Sequence, residues 1–468
     1  MKTYKSYLTM VILLILTTSC DKLLEVNPKQ SIDSSIALQS KDGIEAAVIS
    51  VYSRLLSVNQ YGKAMLATAE AMSNNAIHTG NSSNLQTAAN NNIGSHLPHW
   101  QSSYYAINEI NLILDALRGS TNYDQEWQAV KSGELHCLRA LYYHNLVRAF
   151  AYDPTAIIED RDFGGVPLML VGVDDISKIG SLERAPINKV YEKIYSDLDS
   201  ANTFFASVNW SKGPHRITKG AVDALYSSDW QKVVSTVNDA LEATTAIFST
   251  KENFLADWRK EVHPESIFEV KFNEQDNLGS DNSLRGAYTS RGFYDDEFFT
   301  IQAVLAVDPA FLELYEEVDV RKQLFRLGVG ANKKFHECYK FISKNGMLNL
   351  DNVPVIRLSE LYLNRAEAYY HMGPQYHTNA LADLNKIRSR AGLSQYNGSG
   401  EALLEEILKQ RRLELAFEGH QWFDLKRNGR DVVKGSGNIT FDDFRILAPI
   451  PEREISTSEN QIKQNYGY

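Results

Sequence analysis

Arg411-Arg412-Leu413-Glu414-Leu415-Ala416-Phe417-Glu418-Gly419-His420-Gln421-Trp422-Phe423-Asp424-Leu425-Lys426-Arg427 sets full charges among large apolar groups at a spacing that a surface helix does not need. Upstream, Leu403, Leu404, Ile407 and Leu408 repeat as one face of a helix. If that helix continues, Arg411, Glu414, Leu415 and Glu418 fall on or beside the same apolar stripe. Charges aimed at a core persist only when paired, so the run reads as a buried ion network of Arg411, Glu414 and Glu418. Catalysis or binding is the second reading of the same charges.

Helical periodicity extends outward from this run. Ile44, Ala47, Val48, Val51 and Leu55 form one face, with Ser40 or Asp42 placed to cap. Trp100, Tyr104, Ile107, Asn111 and Leu114 mark a second helix stopped at Gly119. A long helix from about Glu126 to Phe150 carries Leu135, Leu138, Tyr142 and Leu146 on one face and Cys137, Leu141 and Ala149 on the next, which requires neighbours on both sides. Pro186 suits a first helical turn, and Val190, Ile194 and Leu198 follow it. The clearest pair runs from Leu358 to Tyr370 and, after Met372-Gly373-Pro374, through Ala380, Leu381, Leu384 and Ile387 to Ala391-Gly392. Small Ala366, Ala368 and Ala380 permit the close approach of a tetratricopeptide-like hairpin. The segment from Thr218 to Ala243 reads as a degenerate second copy with Trp230 at its turn, and such hairpins stack into a curved scaffold. Strand signal is scarce; from Ser266 to Phe272 the residues alternate, with Phe268, Val270 and Phe272 on one side. Two stretches lack periodicity: Ser73 to His99, rich in Asn, and Asn273 to Thr300, rich in Gly, Asp and aromatics. Long irregular segments in a compact protein are usually functional or disordered.

The N-terminus speaks to destination. Lys2 and Lys5 precede an apolar run from Leu8 to Leu16, and Thr17-Thr18-Ser19 leads into Cys20, the order of a secretory signal. The run is shorter than the roughly 20 apolar residues that span a bilayer. Small residues directly before a cysteine suggest a bacterial lipoprotein signal over residues 1–19, with Cys20 the acylated first residue of the mature chain. The remaining Cys137 and Cys338 are too few for a disulfide framework and read as buried free thiols. A formal net charge of -10 argues against nucleic acid as a ligand. Abundant Tyr (24) and Phe (19) offer flat faces for stacking, although most such rings belong to a core.

Three motifs together resemble the SusD/RagB family of nutrient-binding outer-membrane lipoproteins: Arg411 to Arg427, the hairpin beginning at Arg357, and the ending Leu447-Ala448-Pro449-Ile450-Pro451-Glu452-Arg453-Glu454-Ile455 with Asn460 and Gln464-Asn465-Tyr466-Gly467-Tyr468. Trp100 to Leu114, Phe163-Gly164-Gly165-Val166-Pro167-Leu168, Val190 to Ala201 and Tyr315 to Arg321 are similar too, so the resemblance covers essentially the whole mature chain, 20–468. It implies a mainly α protein: a tetratricopeptide-like helical hairpin scaffold, a variable loop-rich ligand-facing region and a few short strands. The hairpins would fall near 40–150, 188–245, 355–392 and 403–427, and the variable loops near 73–99 and 273–300. It further implies a lipid-anchored protein at the cell surface that binds glycans, or in some branches peptides, and covers a TonB-dependent (SusC-like) outer-membrane transporter. No enzymatic activity and no cofactor are implied. One departure stands out: between Lys219 and Trp230 the family usually has a full helix, and here the segment is shorter by roughly two to three helical turns.

A site for a neutral sugar needs aromatic faces beside amides, carboxylates and Arg on exposed loops. Leu284-Arg285-Gly286-Ala287-Tyr288-Thr289-Ser290-Arg291-Gly292-Phe293-Tyr294-Asp295-Asp296 has this composition, which singles out Tyr288, Arg291, Phe293, Tyr294 and Asp295. The stretch from His78 to Asn84 is its natural polar partner, through His78, Asn81 and Asn84. The bland alternative is that Tyr288, Phe293 and Tyr294 pack the loop onto the scaffold. Hydrolysis would need two carboxylates about 5 to 10 Å apart across a cleft. The acidic runs Asp295-Asp296-Glu297 and Glu316-Glu317 read better as solvated faces. His96 and His99 have no Cys or carboxylate nearby in sequence to complete a metal site. Three classes are carried forward: a glycan- or peptide-binding lipoprotein, a secreted all-α glycoside hydrolase, and a repeat scaffold that binds only proteins.

Overall fold

The computed structural model describes residues 38–92, 94, 96–178, 180–208, 210, 213–218, 229–293, 303–343 and 346–468. Residues 1–19, expected to be a lipoprotein signal, Cys20, and the short segment after Lys219 lie outside them. The fold is mainly α. Helix α1 (Lys41–Arg54) starts at Ser40, whose side chain accepts from the Gly43 amide at 3.1 Å, and it buries Ile44, Val48 and Val51. Helices α2 (Trp100–Leu117) and α3 (Gln125–Phe150) follow; Asp124 caps α3 by accepting from the Trp127 amide at 2.9 Å. Helix α3 is buried on both of its apolar faces, one against α2 and the other against α4 (Ile187–Ala206).

The C-terminal half repeats the same arrangement. Helix α5 (Trp230–Ala243) packs on α6 (Leu358–His371), which packs on α7 (His377–Ala391) and on α8 (Glu401–Glu414). Ala366 and Ala380 are fully buried with Leu384, Leu403 and Ile407, so small side chains at the crossing let the helix axes approach. Gly392, at φ 88°, closes α7 in the left-handed conformation that lacks a Cβ penalty only for glycine. Neighbouring helices therefore pair as tetratricopeptide-like hairpins.

The named strands form short antiparallel ribbons. Strands β1 (Ala76–His78) and β3 (Leu305–Val307) pair, as do β2 (Ser266–Val270) with β6 (Val353–Arg357) and β4 (Phe325–Leu327) with β5 (His336–Cys338). In β2 the expected one-sided burial is replaced by burial of every residue. Its polar side is accommodated because Glu269 accepts from the Ser266 hydroxyl at 2.6 Å and the His263 amide at 3.2 Å.

Two corrections concern the run from Arg411 to Arg427. The helix does not continue through it: α8 ends at Glu414, a turn follows, and α9 (Gln421–Arg427) begins afresh. Phe417 takes φ 65° and Gly419 φ 82°, because the turn inserts the Phe417 ring beside Tyr288 and Phe325, at 5.1 and 5.7 Å between centroids. Nor does Arg411 pair with Glu414 or Glu418. Its Nε bonds Asp424 of α9 at 2.8 Å, and its other nitrogens reach Asn364 at 2.6 Å and Glu360 at 3.4 Å on α6. Glu414 is instead claimed by Arg390 (2.6 Å), Arg357 (2.8 Å) and Arg321 (3.3 Å), and Glu418 by Lys340 (2.6 Å) and Arg357 (2.7 Å). Burial pushes the Glu414 carboxyl up, but the three guanidinium groups outweigh it and hold the acid well below the usual carboxylate range. The charges are buried and paired, with partners drawn from distant elements.

Candidate ligand-binding face

The two irregular stretches meet in space. From β1 the chain continues beside residue 304: the Thr79 amide bonds Val304 O at 2.9 Å and its hydroxyl bonds Ala303 O at 2.8 Å. Gly80 then turns the loop at φ 84°. The Gly80 amide donates to His78 Nδ1 at 3.1 Å, which makes Nδ1 an acceptor and leaves Nε2–H to donate to Asn84 O at 3.0 Å. The Asn84 side-chain Nδ2 donates to Asp281 O at 2.8 Å, and the Asn81 side-chain Nδ2 donates to Asn332 Oδ1. His78, Asn81 and Asn84 remain partly exposed.

Beneath this loop lies Glu337, fully buried at β5. One carboxylate oxygen accepts from the Ser290 amide (2.8 Å), the Ser290 hydroxyl (2.9 Å) and Thr289 (3.1 Å), and the other from Asn332 (2.8 Å). Burial pushes its carboxyl above the ordinary value, against the lowering effect of these donors. Gly328 is required beside it, since a Cβ there would stand 2.4 Å from Glu337 Oε1. Glu337 and Asn332 thus tie the loop at 78–84, the segment at 289–291 and the β4–β5 hairpin into one face. Over it, Arg291 donates to the Tyr339 hydroxyl at 2.6 Å, and Arg291 and Phe293 are partly exposed. Phe335, with the Lys334 ammonium 4.9 Å from its ring, adds a partly exposed aromatic surface.

Tyr288 is a correction. It is 0% exposed, packed edge-on to Phe417 at 5.1 Å and against Phe341 at 6.1 Å. The short turn Leu284–Tyr288 explains this. Ser283 caps it by accepting from the Gly286 amide at 3.0 Å, and Gly286 lies so close to Ser280 O that a Cβ would stand 1.7 Å away, so the turn presses inward and carries Tyr288 into the core. Tyr294 and Asp295 lie outside the described residues.

Two family models match the chain. One, for the SusD family, matches residues 325–468; the other, described as starch-binding associating with outer membrane, matches residues 22–228. The chain belongs to the SusD/RagB family. Among curated SusD relatives, SusD-like protein P2 of Formosa agariphila is 24% identical, with 100% of each chain covered. Among solved structures, a SusD superfamily protein from Bacteroides thetaiotaomicron superposes with a TM-score of 0.79 at 23% identity, over 91% of this chain and 99% of that one. A laminarin-binding SusD-like protein gives 0.75 at 23% identity, over 92% and 100%.

The remaining candidates of this SusD-family chain fall into the interior or onto solvated surface. His99 is buried and His96 half-buried; desolvation pushes them down to about 4 and about 3, and His99 bonds Asn145 O at 2.9 Å. No cluster of metal-ligating side chains occurs among the described residues. Glu317 pairs with Lys322 on the surface, and Asp295-Asp296-Glu297 lies outside the described residues. The sequence reading missed Asn332, Glu337 and Phe335. Phe335 and Glu337 alternate across the start of β5, a pattern that ordinary hairpin composition also gives and that carries no distinct signal.

Proposed function

We propose that this chain is a cell-surface glycan-binding lipoprotein, anchored at the outer membrane through Cys20, that captures oligosaccharides and delivers them to a partner TonB-dependent (SusC-like) transporter. The observation that carries the glycan reading is that the loop bearing His78, Asn81 and Asn84 and the segment leading to Arg291 and the partly exposed Phe293 are tied together through Asn332 and Glu337. That face sets amides, an imidazole and a guanidinium beside aromatic edges, which suits hydroxyls and sugar C–H surfaces. The family description as starch-binding and the laminarin-binding neighbour support the same class of ligand. The acid at the centre of the face has both oxygens engaged by neutral donors within the fold, which supports a structural role for it and a binding role for the face.

The experiment is a panel of soluble oligosaccharides and peptides titrated onto the purified mature chain. Binding of at least one glycan, lost in a combined Asn81→Ala, Phe293→Ala variant of native stability, is the expected result. A chain that ignores every glycan while retaining peptides would replace this reading with the peptide-binding alternative, and release of reducing ends would make it a hydrolase.

A further inference from the structure

Away from the loop face, a cavity of about 170 Å³ opens between α3, α6 and α9. His144 and Arg148, one turn apart on α3, face Glu360 and Asn364 of α6 and His420 and Asp424 beside and on α9. Most acids of its wall are matched: Arg411 bonds Glu360 and Asp424, Arg427 bonds Asp424 and Glu367, and Glu418 is held by Lys340 and Arg357, while Asp153 at the cavity's edge accepts from Thr155 and Tyr191. Arg148 is different. Its guanidinium lies 4.3 Å above the Phe423 ring, its Nε has no hydrogen-bond partner, and no carboxylate among the described residues is within ion-pairing distance. The Lys426 ammonium, which would otherwise compete for an anion, is tied to Ala151 O at 2.6 Å and to Arg148 O. Burial pushes His144 down to about 3, aided by Arg148 and His420, so its neutral ring presents a donor and an acceptor to the cavity. Asn364 engages Arg411 through Oδ1 alone, which leaves its amide donors for a hydroxyl.

A guanidinium with no carboxylate partner, and with its buried Nε left without a hydrogen bond, is costly, and an incoming anion would lower that cost. We propose that this cavity binds a small sugar acid, with Arg148 taking the carboxylate and His144 and Asn364 taking hydroxyls. It is a second site, separate from the loop face and independent of what that face binds. Trp230, stacked on His371 at 4.4 Å, stands at its wall as a flat apolar boundary for a pyranose.

The test is calorimetric titration of the mature chain with glucuronate, glucose and inorganic sulfate. Glucuronate should bind, glucose should bind at least about tenfold more weakly, and Arg148→Gln should lose at least about tenfold in glucuronate affinity, the scale of one charge-assisted contact. His144→Gln provides a second reading should Arg148→Gln fold poorly. Absence of glucuronate binding, equal affinity for glucose, sulfate binding as tightly as glucuronate, or wild-type affinity in His144→Gln together with any folded Arg148→Gln protein would each overturn the proposal. The glucuronate affinity and its loss in Arg148→Gln carry the result, and Arg148 and His144 lie away from the loop face, so the outcome is separable from capture of neutral glycans there.

Discussion

At the residue scale, two buried charges behave in opposite ways. Arg411 holds Asp424, Asn364 and Glu360 together from a position almost closed to solvent. Arg411→Ala would leave those acids buried without their counter-charge, so it should destabilise the fold by about 3 to 5 kcal/mol in urea unfolding. A loss below about 1 kcal/mol, or loss of loop-face ligand binding with stability intact, would show that the residue serves recognition instead. Glu70 has no such partner. Burial pushes its carboxyl up to about 7, even though it accepts from the Gly419 amide and the Asn75 side chain, each at 3.1 Å. With the folded value above the unfolded one, its contribution is fully present below about 4.5 and is lost as pH rises through 7. Glu70→Gln should therefore gain stability relative to wild type across that window, by up to about 3 kcal/mol at pH 8. A difference between variant and wild type that stays flat from pH 4.5 to 8 would contradict this.

At the element scale, the turn between α8 and α9 decides how the charges meet. Gly419 sits at φ 82°, and a Cβ there would lie 2.2 Å from Met65 O. Gly419→Ala should cost at least about 2 kcal/mol, read as a lowered thermal midpoint; an unchanged midpoint would mean that the turn relaxes freely. This turn also marks the limit of what the sequence discloses. Helices with a periodic face and a local stop, such as Ile44 to Leu55 behind Ser40 or the run ending at Gly392, are legible because their determinants lie within a few residues. The break after Glu414 was not, because its cause is the docking of Phe417 against Tyr288 and Phe325, each far away in the chain. The same reasoning covers the loop face. Composition pointed to the segments that meet, but Tyr288 and Phe293 carry the same aromatic signal, and only the tight approach of Gly286 to Ser280 sends Tyr288 inward. Glu337, the hub beneath the face, was invisible because a buried acid in a short strand has no local signature.

At the scale of the whole molecule, packed helical hairpins carry a loop face at one place and a charged cavity at another. No helix among the described residues is long and apolar enough to cross a membrane, so the proposed membrane attachment rests on Cys20. Acyl chains contribute about 0.8 kcal/mol per buried methylene, enough in combination to hold a protein at a bilayer. Cys20→Ser should move the protein from the membrane fraction to the soluble fraction, and retention in the membrane would require another anchor. The central claim, that glycans are captured where residues 78–84 meet residues 281–293 and the β4–β5 hairpin, is tested most directly by a crystal structure with a bound oligosaccharide. Density for a sugar ring against Phe293 or Phe335, hydrogen-bonded by Asn81, Asn84 or Arg291, is the predicted result; a glycan bound with none of these residues in contact would contradict it.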